Sequence, residues 1–112
     1  MDKNIENSLL LDFYGALLTE KQQEIVRMHI ECDSGLSEIA QEFNMSRQAV
    51  YDMVKKAEHT LADYEAKLKC VERYMANRKI ILDSAKLLEG NQLNQNQIEE
   101  LKANLNKLLQ NQ

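Results

Sequence analysis

The stretch Leu36–Leu61 constrains the fold of this chain more than any other, because it joins two helical patterns through a turn signal. Its first part predicts a helix over Ser37–Phe43, whose apolar residues recur at the three- and four-residue steps of one helix face. Asn44 follows, and asparagine tolerates a left-handed backbone better than most residues other than glycine. Ser46 is then a suitable N-cap for a second helix. This order of signals predicts a helix-turn-helix.

The second helix of this stretch has one apolar and one polar face. Its apolar face would pack on the first helix, with the small Ala40 at the crossing and Met45 filling the space beneath the turn. That apolar face consists of Ala49, Val50, Met53 and Val54. Its polar face carries side chains that can reach phosphates and base edges from the front of a helix, namely Arg47, Gln48, Tyr51, Lys55 and Lys56. A plain helical hairpin with a cap is the alternative interpretation, since any amphipathic pair has apolar residues at these intervals.

The composition predicts an all-α protein. The chain of 112 residues has no proline and three glycines, and good helix formers dominate it. No apolar run approaches the ~20 residues of a membrane span, and the N-terminus MDKNIENS lacks the pattern of a signal peptide. We therefore expect a cytoplasmic protein without a membrane span, in which Cys32 and Cys70 are reduced.

The sequence offers little for catalysis or cofactor binding. His29 and Cys32 lie three residues apart, as two metal ligands could, but no second pair of ligands is visible. There is also no nucleophile–base pairing and no glycine-rich phosphate loop. The prediction is a protein that is not an enzyme and that needs no metal or cofactor.

The net charge of −4 is distributed unevenly. Residues 1–33 hold three basic and seven acidic residues, residues 34–61 hold three and four, and residues 62–112 hold eight and seven. One copy could neutralise few phosphates, so we expect its affinity for nucleic acid to be weak and sensitive to salt. A dimer or another protein would then have to supply the rest.

The N-terminal segment predicts two further helices. Over Asn4–Leu18 an apolar stripe recurs every four residues and should pack inward, with Leu10 and Tyr14 beside it. That stripe is Ile5, Leu9, Phe13 and Leu17. Thr19 and Gln22 then form a capping box that starts a helix, and this helix offers Ile25, Val26, Met28 and Ile30 to the core. The segment 32–35 (CDSG) should end it.

Beyond the second helix of the helix-turn-helix, a heptad pattern continues and predicts a long helical arm ending near Glu89. Its members are Val54, Leu61, Leu68, Met75 and Leu82, with Ala57, Tyr64, Val71, Arg78 and Ala85 three residues after each. Periodicity leaves open whether the arm is one continuous helix or is kinked near Lys67–Lys69. The expected division is a helix-turn-helix domain over residues 1–61 and an arm with a tail over residues 62–112.

The segment 90–91 (GN) should close the arm, and Asn94 with Gln97 should cap a last helix. The apolar stripe of this helix is Ile98, Leu101, Leu105 and Leu108. The helix could fold back on the arm as an antiparallel hairpin, or it could pack on the arm of a partner across a two-fold axis. Burial of both stripes favours a homodimer, and a monomeric bundle is the alternative.

Two resemblances follow from these residues. The segments LTEKQQEIV, SEIAQEF and SRQAVY resemble the DNA-binding region four of bacterial sigma factors, and this resemblance implies a DNA-contacting surface of Ser46, Arg47, Gln48, Tyr51, Asp52 and Lys55. The segments DFYGALLTEKQQEI and SEIAQEFNMSRQAVYD are similar to the YlxM family of small bacterial helix-turn-helix proteins, over roughly residues 5–90. Membership of that family implies a cytoplasmic nucleic-acid-binding regulator related to the signal recognition particle, beside whose GTPase subunit such proteins are encoded.

Two functions remain open at this point. The first is a dimeric DNA-binding regulator of the signal recognition particle pathway, in which Arg47 and Gln48 read base edges, Tyr51 packs on the backbone, and Lys55 and Lys56 bind phosphates. The second is a protein or ribonucleoprotein adaptor that binds the GTPase of the particle or its structured RNA without specific DNA recognition.

Overall fold

The computed structural model describes residues 2–32, 34–90 and 92–111, and within these ranges every regular element is helical. The helices are α1 (Lys3–Tyr14), α2 (Glu20–Ile30), α3 (Leu36–Glu42), α4 (Arg47–Leu68), α5 (Cys70–Leu88) and α6 (Gln95–Gln110), with a short 3-10 helix at Gly15–Leu17. The predicted all-α class is confirmed. Asp33 and Asn91, which belong to the predicted turns after α2 and α5, lie outside the described residues.

The chain divides into two compact units, Met1–Val71 and Glu72–Gln112. The expected assignment of a helix-turn-helix domain to residues 1–61 and of an arm to residues 62–112 stays a prediction.

Helix α1 buries a different face from the one predicted. Its buried residues are Leu10, Leu11 and Tyr14. The predicted stripe points outward instead, because Ile5 is 54%, Phe13 43% and Leu17 56% exposed. The physical reason is that α1 carries apolar residues on two faces. In addition, Leu17 lies in the 3-10 helix and not in α1, so the four-residue spacing of an α-helix does not apply to it.

Helix α2 begins as predicted. The Thr19 hydroxyl accepts a hydrogen bond from the Gln22 N–H at 3.2 Å, and the Gln22 side chain accepts one from the Thr19 N–H at 3.1 Å. This capping box satisfies N–H groups that have no partner within the helix. Ile25 and Val26 are fully buried beneath it.

One cluster of the core of the first unit lies where α2, α3 and α4 meet. Its fully or nearly buried members are Ile25, Ile39, Ala40, Val50 and Val54. Partly buried apolar residues pack around this cluster, namely Met28, Leu36, Phe43, Met45 and Met53. Ala40 at the crossing and Met45 beneath the turn therefore occupy their predicted places.

Helix α4 stops at Leu68, which resolves the open choice between a continuous and a kinked arm. Lys69 has a left-handed backbone with φ 56°, and α5 begins at Cys70. The prediction that the heptad residues lie on one face of a single helix is therefore wrong. In the first unit, Val54, Ala57, Leu61 and Val71 are buried, whereas Leu68 is 48% exposed.

Three hydrogen bonds hold the start of α5 in the first unit. The Tyr14 hydroxyl donates to Glu65 Oε1 at 2.6 Å and accepts from the Cys70 N–H at 3.0 Å. Glu65 Oε1 also accepts from the Val71 N–H at 3.0 Å. Burial, together with these hydrogen bonds, raises the pKa of Tyr14 above its ordinary value. The ring of Tyr14 stacks on that of Tyr64, with 5.9 Å between their centroids.

In the second unit, α6 folds back on α5 as an antiparallel hairpin. Asn94 and Gln97 form the predicted capping box. The amide of Asn104 donates to Ser84 Oγ and that of Asn111 to Asn77 Oδ1, both at 3.2 Å. The predicted stripe is wrong at Leu105, which is 51% exposed, because the polar Ser84 of α5 takes the neighbouring Asn104 as its partner.

Candidate nucleic-acid interface

The turn between α3 and α4 has the geometry that its sequence predicts. Asn44 is left-handed with φ 54°, and the Met45 N–H donates to the Ala40 carbonyl at 2.9 Å. The Asn44 N–H also points to the Gln41 carbonyl, at 3.4 Å. Together these bonds form a Schellman motif, with Asn44 at the position where glycine is most common. The motif ends α3 sharply and turns the chain directly into α4.

Ser46 caps α4 and fixes where its exposed face begins. Its hydroxyl accepts from the Ala49 N–H at 3.0 Å, and its backbone is extended with φ −75° and ψ 154°. Val50 and Val54 are buried on the inner side of the helix. Since the inner face is fixed by this burial, the residues between them on the opposite side must face solvent.

The residues predicted to contact nucleic acid lie along this outer side. They are all exposed: Ser46, Arg47, Gln48, Tyr51, Asp52, Lys55 and Lys56. The structure thus brings the predicted residues together on one helix, over its first three turns. Their contact with nucleic acid stays a prediction.

Several of these side chains bind one another. The amide of Gln48 donates to Asp52 Oδ1 at 2.9 Å. Lys55 Nζ lies 5.6 Å from the ring centroid of Tyr51 and 3.6 Å from Glu58 Oε2. Exposed ion pairs are worth only ~0–1 kcal/mol, so a phosphate could displace Glu58 from Lys55.

Arg47 and Lys56 differ from their neighbours on this surface. The side chain of neither residue makes a hydrogen bond or an ion pair to any other residue that the structure describes. They are the two cations of the surface that could meet a ligand without first giving up a partner. Sequence reasoning missed Glu58, although a carboxylate three residues after Lys55 is a recognisable helical pair.

The other residues singled out in the sequence are not part of a metal-ligand cluster within the ranges that the structure describes. His29 is half-buried and its Nδ1 has no hydrogen-bond partner, whereas Cys32 is exposed. In the ranges that the structure describes, no group of three or more His, Cys, Asp and Glu side chains could hold a metal ion. Among the helices of these same ranges, none is both long enough and apolar enough to span a membrane.

The fold and this surface define an all-α protein built around a helix-turn-helix. A family model described as "Putative helix-turn-helix protein, YlxM / p13 like" matches residues 1–105. The chain therefore belongs to this family, UPF0122, which confirms the resemblance that its sequence motifs indicate.

Curated relatives agree with this assignment. A UPF0122 protein of Desulforamulus reducens is 43% identical over 83 residues, which cover 74% of this chain and 71% of the relative. One of Shouchella clausii is 38% identical over 92 residues, covering 82% and 84%. One of Streptococcus gordonii is 39% identical over 101 residues, covering 90% and 92%.

Proposed function

We propose that this protein is a DNA-binding regulatory protein of the signal recognition particle pathway and that α4 is its recognition helix. The observation that carries the DNA-binding part is the capped start of α4, where a buried core holds the helix and its polar side faces solvent. The link to the pathway rests on the resemblance to the YlxM family. Action on DNA places the protein in the cytoplasm, as its sequence predicts.

In this proposal the side chains of α4 have different roles. Arg47 stands in the first turn, where recognition helices approach base edges, and its guanidinium can donate two hydrogen bonds to a guanine. Gln48 reads a base only after it exchanges its hydrogen bond to Asp52 for one to the DNA. Lys55 and Lys56 bind phosphates and set the register of the helix, while Tyr51 packs on the backbone.

The charge of the surface supports a dimer as the binding form. Asp52 and Glu58 offset part of the positive charge of α4, so one copy makes few favourable phosphate contacts. Because each neutralised phosphate adds to affinity, two copies bound side by side gain far more than one. A homodimer is therefore part of the proposal.

The test begins with selection of DNA ligands from a random pool by the full chain. We expect Arg47→Ala to weaken binding of the selected DNA by ~1–3 kcal/mol and to relax the preference at one base pair. Lys102→Ala is the matched control, because it removes one positive charge from an exposed site on α6. If Arg47→Ala binds the selected DNA as tightly as the parent, α4 does not read DNA through this residue.

A second candidate function is an adaptor that binds the GTPase of the signal recognition particle or its RNA. The carboxylates of Asp52 and Glu58 beside the cations of α4 favour its protein-binding form, since they weaken attraction to the phosphates of DNA and RNA alike. Pull-down from lysate followed by nuclease treatment separates the protein-binding form of the adaptor from nucleic-acid binding. Protein partners that persist after nuclease support the adaptor, and loss of all partners supports nucleic-acid binding.

A further inference from the structure

The second unit has a hairpin of two helices but no apolar core of its own. In its described residues, 72–90 and 92–111, no apolar side chain is buried, and the buried residue is the polar Ser84. Hydrogen bonds from Asn104 to Ser84 and from Asn111 to Asn77 join α6 to α5. Two helices side by side form a single layer, and a helical layer is stable in water when a second layer covers its apolar side.

Large apolar side chains are exposed on one side of this hairpin. Ile81 and Leu88 each lie four residues after a residue of α5 that bonds to α6, and they are 54% and 59% exposed. Leu105 lies one residue after the α6 residue that bonds to α5, and it is 51% exposed. At 3.6 residues per turn these steps turn about 40° and about 100° in the same sense from the line of contact. In an antiparallel pair the same sense leads to the same side of the pair, so the three side chains share it.

A row of exposed residues continues this surface around α5. We define the α5 seam as Arg78, Leu82, Ala85 and Glu89, which fall within an arc of about 60° because they are three or four residues apart. All four are exposed, Leu82 by 50%, and they line an open groove of about 580 Å³. The seam has a cation at one end and a carboxylate at the other. Neither of these two side chains pairs with another residue that the structure describes.

We propose that the α5 seam binds the α5 seam of a second copy, with the two α5 helices antiparallel, and that the two hairpins form a four-helix bundle. Under two-fold symmetry, if Arg78 of one copy meets Glu89 of the other, the reverse contact also forms. Both ends of the seam then carry an ion pair. Leu82 faces Ala85 of the other copy, because this pair has the same midpoint, between residues 83 and 84. A large side chain opposite a small one lets two helices interdigitate.

The charges of the seam favour the antiparallel orientation over the parallel one. In a parallel pair each residue faces its own equivalent, so Arg78 would face Arg78 and Glu89 would face Glu89. Like charges across an interface are unfavourable, and opposite charges fix its register. Lys79 and Lys86 border the seam, where their flexible stems let both ammonium groups reach water.

The side of the hairpin is large enough for a stable dimer. Helices α5 and α6 have 19 and 16 residues. At about 1.5 Å per residue and about 10 Å per helix, the hairpin side measures roughly 25 by 20 Å, or roughly 500 Å² in projection. Protruding side chains make the accessible area larger than this projection, and a standard interface covers about 800 Å² per partner. A second copy of the hairpin has the same dimensions and so covers the whole side.

The test measures the mass of the full chain by sedimentation equilibrium at several concentrations and low ionic strength, without DNA. We expect twice the chain mass of 13.0 kDa for the parent. Arg78→Glu and Glu89→Arg should each raise the dissociation constant about tenfold, because each turns both ion pairs of the dimer into repulsive contacts. Asp83→Arg is the matched control for Glu89→Arg, because Asp83 is exposed on α5 roughly 130° around the helix from the middle of the seam. It should leave the dissociation constant unchanged.

Two combinations of these substitutions test the pairing directly. The double variant, Arg78→Glu with Glu89→Arg, restores opposite charges at both ends, and so it should dimerise like the parent. An equimolar mixture of the two single variants should form heterodimers, because each end then pairs a glutamate of one chain with an arginine of the other. Circular dichroism checks that every variant keeps its helical content.

Other outcomes overturn the inference. A parent that stays monomeric at all concentrations excludes a second copy as the occupant of the seam. Single variants that dimerise like the parent would mean that the copies meet elsewhere, and a double variant that dimerises no better than the single ones would mean that Arg78 does not face Glu89. The inference rests on the homodimer of the proposed function, for which it supplies the interface. Its failure is distinguishable, because the mass is measured without DNA and the Arg47→Ala test leaves the seam intact.

Discussion

Replacing Tyr14 by phenylalanine should destabilise the first unit strongly, although it removes only one oxygen atom. Tyr14 is 2% exposed, and its hydroxyl accepts a hydrogen bond from the Cys70 N–H while it donates one to Glu65. A hydrogen bond to a charged group contributes about 1.5–3 kcal/mol, and a buried N–H left without a partner costs about 1–3 kcal/mol. We expect Tyr14→Phe to lower the free energy of unfolding by ~3 kcal/mol.

Urea denaturation followed by circular dichroism measures this loss. Tyr64→Phe is the matched control, because the two rings stack and the Tyr64 hydroxyl makes no hydrogen bond to the residues that the structure describes. Its effect should stay within about 0.5 kcal/mol. Equal effects of the two substitutions would refute the reasoning, since both variants keep the stacked rings and the loss would then not depend on the hydrogen bonds of the Tyr14 hydroxyl.

The pH dependence gives an independent check on Tyr14. Burial raises the pKa of Tyr14, so the folded chain keeps this proton after the unfolded chain has lost it. Its contribution is fully present below the ordinary tyrosine pKa of about 10 and is lost as the pH rises above that value, by at most ~1.4 kcal/mol per pH unit. The difference in unfolding free energy between the parent and Tyr14→Phe should therefore shrink above pH 10. A constant difference over that range would contradict the assignment.

Substitutions at three further positions test the turn, the cap and the helix break by urea denaturation. Asn44→Ala should lower the free energy of unfolding by about 1 kcal/mol, because the backbone at this position is left-handed. Asn44→Gly should change it by no more than about 0.5 kcal/mol. Equal losses in the two variants would exclude backbone strain as the cause. Ser46→Ala should cost about 1 kcal/mol through loss of the bond to the Ala49 N–H, and an unchanged midpoint would show that water replaces this cap. Lys69→Val should be less stable than Lys69→Gly by at least about 1 kcal/mol, and the reverse order would contradict the left-handed break.

The features that the sequence predicts correctly are short-range ones. The capping boxes that start α2 and α6, the cap at Ser46 and the left-handed Asn44 each depend on groups within about four residues of one another. Local chemistry is sufficient for them, and so the starts of α2, α4 and α6 and the outward side of α4 follow from the sequence. The candidate surface on α4 could be located in this way.

The features that the sequence misses depend on distant contacts. Both apolar stripes of α1 have helical spacing, and only the partners of Tyr14 decide which one is buried, because its hydroxyl bonds to Glu65 and Cys70, 51 and 56 residues away. Both stripes have the same helical periodicity, so this periodicity does not predict which of them is buried. The periodicity of α6 likewise does not predict that Leu105 is exposed. Asn104 lies on the inner side of α6 instead, where it donates a hydrogen bond to Ser84.

The break at Lys69 shows how such distant contacts override local preference. Lysine has no special tolerance for a left-handed backbone, and the segment around it contains neither glycine nor proline. A continuous helix would bond the Cys70 and Val71 N–H groups to carbonyls four residues back. In the structure the Tyr14 hydroxyl and the Glu65 carboxylate accept these two N–H groups instead. These two acceptors compensate for the free-energy cost of the left-handed backbone at Lys69. Substitution of Tyr14 should therefore lower the free energy of unfolding more than substitution of Lys69.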